Sequence, residues 1–213
     1  VAVLAQPDWR DPAAFTALGR PRLGVMLSAG NLDSMVAHYT VAKRRRSKDA
    51  YSPGNRMGLR PDRASIVYSN CVRRVFGDIP LIMGGLEASL RRFAHYDYWS
   101  DKLKRKVRRS VLLDAQADLL VYGMGERATV EIAERLASGT PVGEITDVRG
   151  TAFVGDNPGA CTYPMVEVAS FERVAADKRS YAEANMTEYR EHDPIVGRAI
   201  LQRHGEKLLI VNP

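Results

Sequence analysis

The chain lacks most of the patterns by which an autonomous catalytic or metal centre is recognised. Only two of its 213 residues are cysteine, and Cys71 and Cys161 have no spacing typical of a zinc knuckle or an iron–sulfur cluster. So few cysteines are typical of a reducing compartment, which predicts a cytoplasmic protein. The sequence also has no P-loop, GxSxG elbow, HExxH or Asp-x-His-x-x-Gly cobalamin motif. The sequence therefore predicts no metal site in this chain and no catalysis by the chain alone.

Long apolar segments are absent too. Although 45% of the residues are hydrophobic, no run is long enough to span a bilayer, so we expect a soluble protein without a membrane partner. The apolar run at 1–5 predicts a buried strand already under way, and the strand predicted at 207–212 ends without a closing turn. We therefore expect the polypeptide to begin before residue 1 and to continue past Pro213.

Two segments share one design, an apolar strand that runs into a glycine turn and opens a helix with a carboxylate in its first turn. These segments are residues 79–89 and 118–126, and a looser third unit ends at 28–34. Such units predict parallel strands whose carboxyl ends face one ligand-binding crevice, although the glycines equally suit simple turns. The candidate binding residues on these turns are Ser28, Gly30, Asn31, Gly84, Gly85, Glu87, Gly125 and Glu126.

Two details of these turns limit their interpretation. Residues 123–128 match the letters of the GxGxxA dinucleotide fingerprint, but they do not follow the first strand, and Asp147 precedes the next strand instead of ending it. The carboxylates Glu87 and Glu126 would compete with a phosphate for the helix amides, so they suit a hydroxyl or amine ligand better. Each also fits a plain helix-stabilising role.

The remaining pattern predicts an α/β fold with helices on both sides of a mostly parallel sheet. We expect a basic loop at 43–60, a helix from Pro61 to 76 and helical pieces over 86–113. A helix over 126–136, an edge strand at 149–154 and one long helix over 170–191 follow. Because ordered loops longer than about 12 to 15 residues are uncommon, the basic loop is interpreted as a lid over the crevice or a contact arm.

Basic charge is concentrated in residues 43–109, which we call the basic belt. The belt holds 18 Lys or Arg against 6 Asp or Glu, whereas the whole chain has a net charge of +6. Aromatic residues lie between the basic clusters, as in proteins that contact phosphates and stack on bases. The belt therefore predicts either RNA binding or a solvated charged face.

The densest chemistry lies in residues 95–102. His95 stands two residues before Asp97 and can act as an oriented base, while Trp99 and its aromatic neighbours can stack on a flat ligand. We take His95 and Asp97 as candidate catalytic residues and Trp99 as a candidate binding residue. A domain-interface corner with satisfied polar tips is the alternative.

Several long strings resemble the YgiQ-like family of radical SAM proteins. They are AQPDWR at 5–10, VMLSAGNLDSMV at 25–36, HYT at 38–40, AYSPG at 50–54, GLRPDR at 58–63, GGLEASLRR at 84–92, HYDYWSDK at 95–102 and VYGMGE at 121–126. The resemblance covers essentially the whole chain. It is far more specific than any short motif.

The resemblance implies a Rossmann-like domain, similar to cobalamin-binding domains, ahead of a radical SAM barrel in the same polypeptide. Residues 1–155 would form this domain, without its first strand, and 156–213 a helical extension and strand that lead to the barrel. In such families a Cys-x3-Cys-x2-Cys motif holds a 4Fe-4S cluster that cleaves S-adenosylmethionine reductively. Neither cysteine here lies in that motif, so the ligands of both cofactors are expected outside this chain. Cobalamin binding is implied by fold analogy alone.

Overall fold

The fold is built on a single large sheet. The computed structural model describes residues 1–99, 107–193 and 195–213. The strands are β1 (Val25–Ser28), β2 (Leu81–Gly84), β3 (His95–Tyr96), β4 (Val107–Arg108), β5 (Leu119–Val121), β6 (Thr151–Gly155), β7 (Met165–Val168), β8 (Ala199–His204) and β9 (Lys207–Val211). The helices are α1 (Pro12–Thr16), α2 (Ser34–His38), α3 (Ala64–Phe76), α4 (Gly85–Leu90), α5 (Val111–Ala115), α6 (Glu126–Ala137), α7 (Phe171–Ala176) and α8 (Lys178–Arg190).

Seven strands form a mixed sheet in the order β1-β2-β5-β6-β9-β8-β7, and β3 and β4 form a separate hairpin. The pairs β1–β2, β2–β5 and β7–β8 are parallel. The pairs that β6 makes with β5 and β9, and β8 with β9, are antiparallel. The expected α/β, Rossmann-like class is therefore confirmed.

Both faces of the sheet are covered because its central strands are apolar at every position. Leu81 and Met83 pack on the side of α3 and α5, whereas Ile82 between them packs on the side of α6. Leu119 and Leu120 divide between the two cores in the same way. Alternate residues of a strand face opposite sides, so a continuous apolar run needs a layer of helices on each side.

The three glycine turns meet at one edge of the sheet. Because β1, β2 and β5 are parallel, their carboxyl ends lie side by side, and Ser28 is in register with Gly84. Gly30 and Gly85 have φ values of +97° and +81°, a region that glycine adopts without strain. The predicted placement of these carboxyl ends at one edge of the sheet is thus confirmed, and we call this edge the strand-end edge.

Several predicted elements are wrong. Residues 1–5 are exposed and form no strand, since no neighbouring strand pairs with them. The strand predicted at the sheet edge, β6, lies between β5 and β9. Part of the region expected to be helical, around His95, forms the β3–β4 hairpin.

The C-terminal region contains more strand than expected. The single helix predicted over 170–191 is two, because Asp177 caps α8 by accepting hydrogen bonds from the Arg179 and Ser180 amides. Strands β7 and β8 were not predicted, whereas β9 was. The proposed division at residue 155 stays a prediction, and strands from both sides of it join one sheet.

Replacing Gly85 with alanine tests the close approach of β1 and the α4 turn. A Cβ at Gly85 would lie 2.5 Å from Ser28 Oγ, and φ is +81° there. We expect Gly85→Ala to lower the free energy of unfolding, measured with urea, by about 3 kcal/mol. This sums about 1 to 2 kcal/mol for a left-handed residue and about 1 to 3 for overpacking.

Gly123 is the matched control, because its φ is +67° and nothing lies within 4 Å of a Cβ there. Gly123→Ala should cost only the left-handed term, about 1 to 2 kcal/mol. Adding Ser28→Ala to Gly85→Ala should recover the overpacking part. Equal losses at the two glycines would contradict crowding at Gly85.

Candidate functional site

A cavity of about 170 Å³ lies beside the strand-end edge, between the first turns of α2 and α3, helix α4 and the β3 end of the hairpin. We call it the strand-end cavity. Four predicted site residues line it, namely Glu87, His95, Asp97 and Trp99. The structure therefore brings the carboxylate of the second glycine turn together with the aromatic run, which lies eight or more residues away in sequence.

Glu87 holds two helices at the wall of this cavity. One carboxylate oxygen accepts a hydrogen bond of 2.8 Å from the Ser34 amide, and the other accepts one of 2.7 Å from the Ser65 amide. Ser34 opens α2 and Ser65 lies in the first turn of α3, so the buried carboxylate takes two amides that have no partner within their own helices. Glu87 thus has a clear structural role, with both oxygens occupied.

Asp97 is buried and paired with arginine. Its carboxylate lies 2.6 Å from Arg63 and 3.9 Å from Arg108, and it also accepts a hydrogen bond from the Trp99 amide. These contacts fix the chain just after β3. Asp97 is therefore placed to position its neighbours, and the His95–Asp97 hydrogen bond expected for an oriented base is not among the contacts recorded for the described residues.

The His95 ring is half-buried, and no hydrogen bond is recorded for it among the described residues. Burial lowers the pKa of His95, and the charges of Arg91 and Arg92 lower it further, whereas Asp97 acts in the opposite direction. The ring is therefore neutral at pH 7 and offers one donor and one acceptor. Its polar atoms are therefore available to a ligand in the cavity.

Trp99 gives the cavity an aromatic wall. Its ring lies 5.1 Å from that of Tyr98 at an angle of 83°, and 5.7 Å from that of Tyr39. Tyr39 also donates a hydrogen bond of 2.7 Å to Asp62. The indole is thus held by two neighbours. The rest of the run, residues 100–102, lies outside the described residues.

The other predicted binding residues occupy the strand-end edge itself and do not line the cavity. The Gly30 amide donates to Ser28 Oγ over 3.1 Å, and a Cβ at Gly84 would lie 3.2 Å from the Val121 carbonyl oxygen. Gly125 packs against the Val121 side chain. Asn31 and Glu126 are exposed. Their roles in binding remain predictions.

A buried polar network surrounds His38, a residue that the sequence analysis did not single out as a candidate. The His38 ring faces Asp62 at 2.7 Å through Nδ1 and Asp49 at 3.2 Å through Nε2. Asp49 also binds Arg60 at 3.1 Å, and Arg60 donates to the Ala29 carbonyl at the end of β1. The network connects the basic loop to the strand-end edge. Local sequence patterns could not predict it, because His38 and Asp62 lie 24 residues apart in sequence.

A third of the 18 basic residues in the basic belt are paired with carboxylates within the fold. Six of its arginines pair with carboxylates, namely Arg60, Arg63, Arg73, Arg91, Arg108 and Arg109. Arg44, Arg45, Arg46 and Lys48 are exposed. The cluster at 104–106 lies outside the described residues. These pairings do not favour a nucleic-acid site, so RNA binding stays a prediction.

The residues of this chain do not fit a radical SAM cluster. Three thiolates are required, and the sequence has two cysteines. Burial raises the pKa of both Cys71 and Cys161, which disfavours the thiolate form. Within the described ranges, no group of three or more His, Cys, Asp or Glu side chains could hold a metal ion.

Among the helices of the described residues, none is both long and apolar enough to cross a membrane.

Glu87→Gln tests the carboxylate that joins α2 and α3. A glutamine keeps one acceptor but turns an NH₂ group toward one of the two amides, leaving buried donors face to face. We expect the free energy of unfolding to fall by about 2 kcal/mol. Glu126 occupies the matching turn of α6 but is exposed, so Glu126→Gln should change it by less than about 0.5 kcal/mol. Similar losses of unfolding free energy in the two variants would contradict the role of Glu87 in joining α2 and α3.

Asp49→Asn tests the His38 network. Removing one partner of a buried ion pair costs about 3 to 5 kcal/mol, so we expect a fall in unfolding free energy of about 3 kcal/mol at pH 7. Asp156 is the control, because its side chain is 81% exposed. Asp156→Asn should change the unfolding free energy by less than about 1 kcal/mol.

The pH dependence of the same variant is a further readout. Burial raises the pKa of Asp49, but hydrogen bonds from Ser52 and the Tyr51 amide and the charge of Arg60 outweigh it and lower the pKa. Its contribution is therefore present above the unfolded value of about 3.9 and is lost as pH falls through the folded pKa. Below about pH 4 the stability of Asp49→Asn should fall less steeply than that of the unchanged protein. If the stabilities of the two proteins fell in parallel with pH, the lowered pKa of Asp49 would be contradicted.

The comparisons with known proteins agree with this picture. A family model described as Radical SAM N-terminal matches residues 1–213. The chain is 53% identical over its full length to a UPF0313 protein of Geobacter sulfurreducens and 50% identical to one of Methanocella arvoryzae, covering 34% and 35% of those proteins. Over 212 residues it is 47% identical to a UPF0313 protein of Clostridium perfringens, covering 31% of it.

The chain thus spans about a third of the length of these relatives. No solved structure matches it. The resemblance to the YgiQ-like proteins is confirmed, and the chain belongs to the Radical SAM N-terminal family.

Proposed function

We propose that this chain is an accessory domain of a radical SAM enzyme and that its strand-end cavity supplies contacts to the substrate. The observation that carries the proposal is the cavity itself, which lies beside the edge where the parallel strands β1 and β2 end, because Asp33 after β1 and Glu87 after β2 line it. Open α/β sheets bind their ligands at such edges. The relatives are about three times as long, which supports a separate part of the polypeptide for the 4Fe-4S cluster and S-adenosylmethionine.

Within the cavity, His95 is the proposed substrate contact and Asp97 a positioning residue. A neutral, half-buried imidazole can donate or accept one hydrogen bond without an ionic partner. Asp97 already engages Arg63 and the Trp99 amide, so it holds the loop that carries His95 and Trp99. The chain's own residues thus bind and orient, and no step of the radical chemistry is assigned to them.

The proposal is tested in two steps on the full-length protein, reconstituted anaerobically with iron and sulfide and then reduced. First, formation of 5′-deoxyadenosine from S-adenosylmethionine is measured, and product is expected. Absence of both cluster and product would overturn the radical SAM assignment. Second, the small-molecule fraction of the source cells is added, and the stimulated rate is measured.

We expect His95→Gln to reduce the stimulated rate about tenfold, the effect of losing roughly one hydrogen bond of 1.4 kcal/mol. His192→Gln is the matched control, because His192 is exposed and does not line the cavity. Thermal midpoints of both variants should equal that of the unchanged protein. Equal stimulated rates for all three proteins would rule out His95 as a substrate contact.

A further inference from the structure

We infer that the strand-end cavity takes a compact amine in its protonated, ammonium form, with Asp33 as the residue that receives it. The inference rests on the proposed function, that this cavity contacts the substrate, and names the chemical class of the group that is held there. Three features carry it. They are a carboxylate oxygen without a partner, the charge balance of the lining, and the aromatic and apolar walls.

Asp33 lines the cavity and uses only one of its two carboxylate oxygens. Oδ1 caps α2 by accepting hydrogen bonds from the Met35 amide over 2.9 Å and from the Val36 amide over 3.0 Å. Oδ2 has no hydrogen-bond partner among the described residues. It is not one of the fully buried polar atoms that lack a partner, so solvent or a ligand can reach it. The cavity lining therefore holds a carboxylate oxygen that the fold does not use.

Both arginines that line the cavity are engaged by carboxylates other than Asp33. The Arg63 guanidinium lies 2.6 Å from the Asp97 carboxylate, and the Arg91 guanidinium lies 2.6 Å from that of Asp114. An anionic ligand would have to break one of these partly buried pairs to gain a cation, and the carboxylate left behind would be unpaired. The lining therefore disfavours a phosphate or carboxylate ligand.

The local charge at Asp33 is negative. Glu87 also lines the cavity, and its carboxylate is held by two backbone amides instead of a cation. Burial is the main cause that raises the pKa of Asp33, and the charge of Glu87 raises it more than that of Arg63 lowers it. An ammonium group would offset both carboxylates, because opposite charges attract more strongly in a partly desolvated site than in water.

Asp193 has the same bonding pattern as Asp33 but no cavity beside it. Its Oδ1 accepts hydrogen bonds from the Ile195 and Val196 amides, which lie two and three residues further on, as the amide partners of Asp33 do. Asp193 is exposed, and these hydrogen bonds lower its pKa, whereas burial raises that of Asp33. The two carboxylates thus differ in their surroundings, which makes Asp193 the matched control.

The walls of the cavity suit a compact organic cation. Tyr96, Tyr98 and Trp99 line it, and the Tyr98 and Trp99 rings lie 5.1 Å apart at an angle of 83°. Aromatic faces attract ammonium groups, and Lys43 Nζ already lies 4.3 Å from the Tyr98 ring centroid. The cavity volume of about 170 Å³ suits an ammonium group attached to one small ring, since engineered cavities of about 150 Å³ bind benzene.

The test compares three probes of nearly the same shape on the full-length protein. Benzylamine carries an ammonium group at pH 7, benzyl alcohol is its neutral counterpart, and benzoate is an anion. Dissociation constants are measured by ligand-observed NMR at constant ionic strength. We expect benzylamine to bind about tenfold more tightly than benzyl alcohol, because hydrogen bonds between charged groups are stronger than neutral ones, and benzoate to bind most weakly. Equal affinities of benzylamine and benzyl alcohol would overturn the inference.

Asp33→Asn tests the residue that receives the amine. Asparagine caps a helix about as well as aspartate, so this variant should keep the thermal midpoint of the unchanged protein while it loses the charge. We expect the preference for benzylamine over benzyl alcohol to disappear in Asp33→Asn and to be unchanged in Asp193→Asn. A preference that survives Asp33→Asn would overturn the assignment of Asp33.

Two valine variants locate the bound amine without changing a carboxylate. Val36 lines the cavity and is 43% exposed, so Val36→Trp should fill the opening and abolish benzylamine binding. Val130 is 56% exposed on α6 and does not line the cavity, so Val130→Trp should bind benzylamine like the unchanged protein. Benzylamine binding that survives Val36→Trp would overturn the inference.

The outcomes separate this inference from the proposed function. A preference for benzylamine that depends on Asp33, with a stimulated 5′-deoxyadenosine rate that neither Asp33→Asn nor His95→Gln changes, would support the amine site and contradict the substrate role. A rate that depends on His95, with benzylamine binding no better than benzyl alcohol, would support the substrate role and overturn the amine assignment.

Discussion

The strand-end edge depends on one buried carboxylate. Glu87 follows β2 by only a few residues, yet its oxygens bind the amides of Ser34 and Ser65 at the starts of two other helices. A buried carboxylate is costly unless several donors surround it, and two free helix amides with their aligned dipoles provide that environment. Because α2 follows β1 and α3 follows the basic loop, this contact sets where both segments stand relative to the sheet.

Arginine side chains also hold neighbouring elements of this region together. Asp114, which lies outside the basic belt, is within ion-pair distance of Arg91, Arg108 and Arg109. Hydrogen bonds from Arg109 and Arg91 outweigh its burial and lower the pKa of Asp114. Three of the basic residues thus join the hairpin and α5 to the end of α4 through one carboxylate. Of these three arginines, Arg91 also lines the strand-end cavity, so the ion pair with Asp114 helps to fix one wall of the cavity.

Local patterns predicted the glycine turns, the parallel strands and α3 and α6, because each is specified by residues close in sequence. Local patterns did not predict contacts between residues that lie far apart in sequence. Glu87 and Glu126 occupy equivalent turns, but only Glu87 meets amides 22 and 53 residues away. His38 gained its carboxylates in the same way, and β6 became central only because β9 returns beside it.

The distribution of free and occupied polar groups is consistent with the binding role that we propose for this domain. Glu87, Asp97, Arg63 and the His38 network have their hydrogen bonds directed at the fold, and withdrawing any of them for a reaction would leave a buried charge unpaired. By contrast, the ring of His95 and one oxygen of Asp33 have no hydrogen-bond partner among the described residues, and both residues line the strand-end cavity. Groups that are rigidly held, partly buried and unpartnered select a ligand by shape and hydrogen bonding. Under the proposed function, a cofactor held by another part of the polypeptide would act on a substrate oriented by these residues.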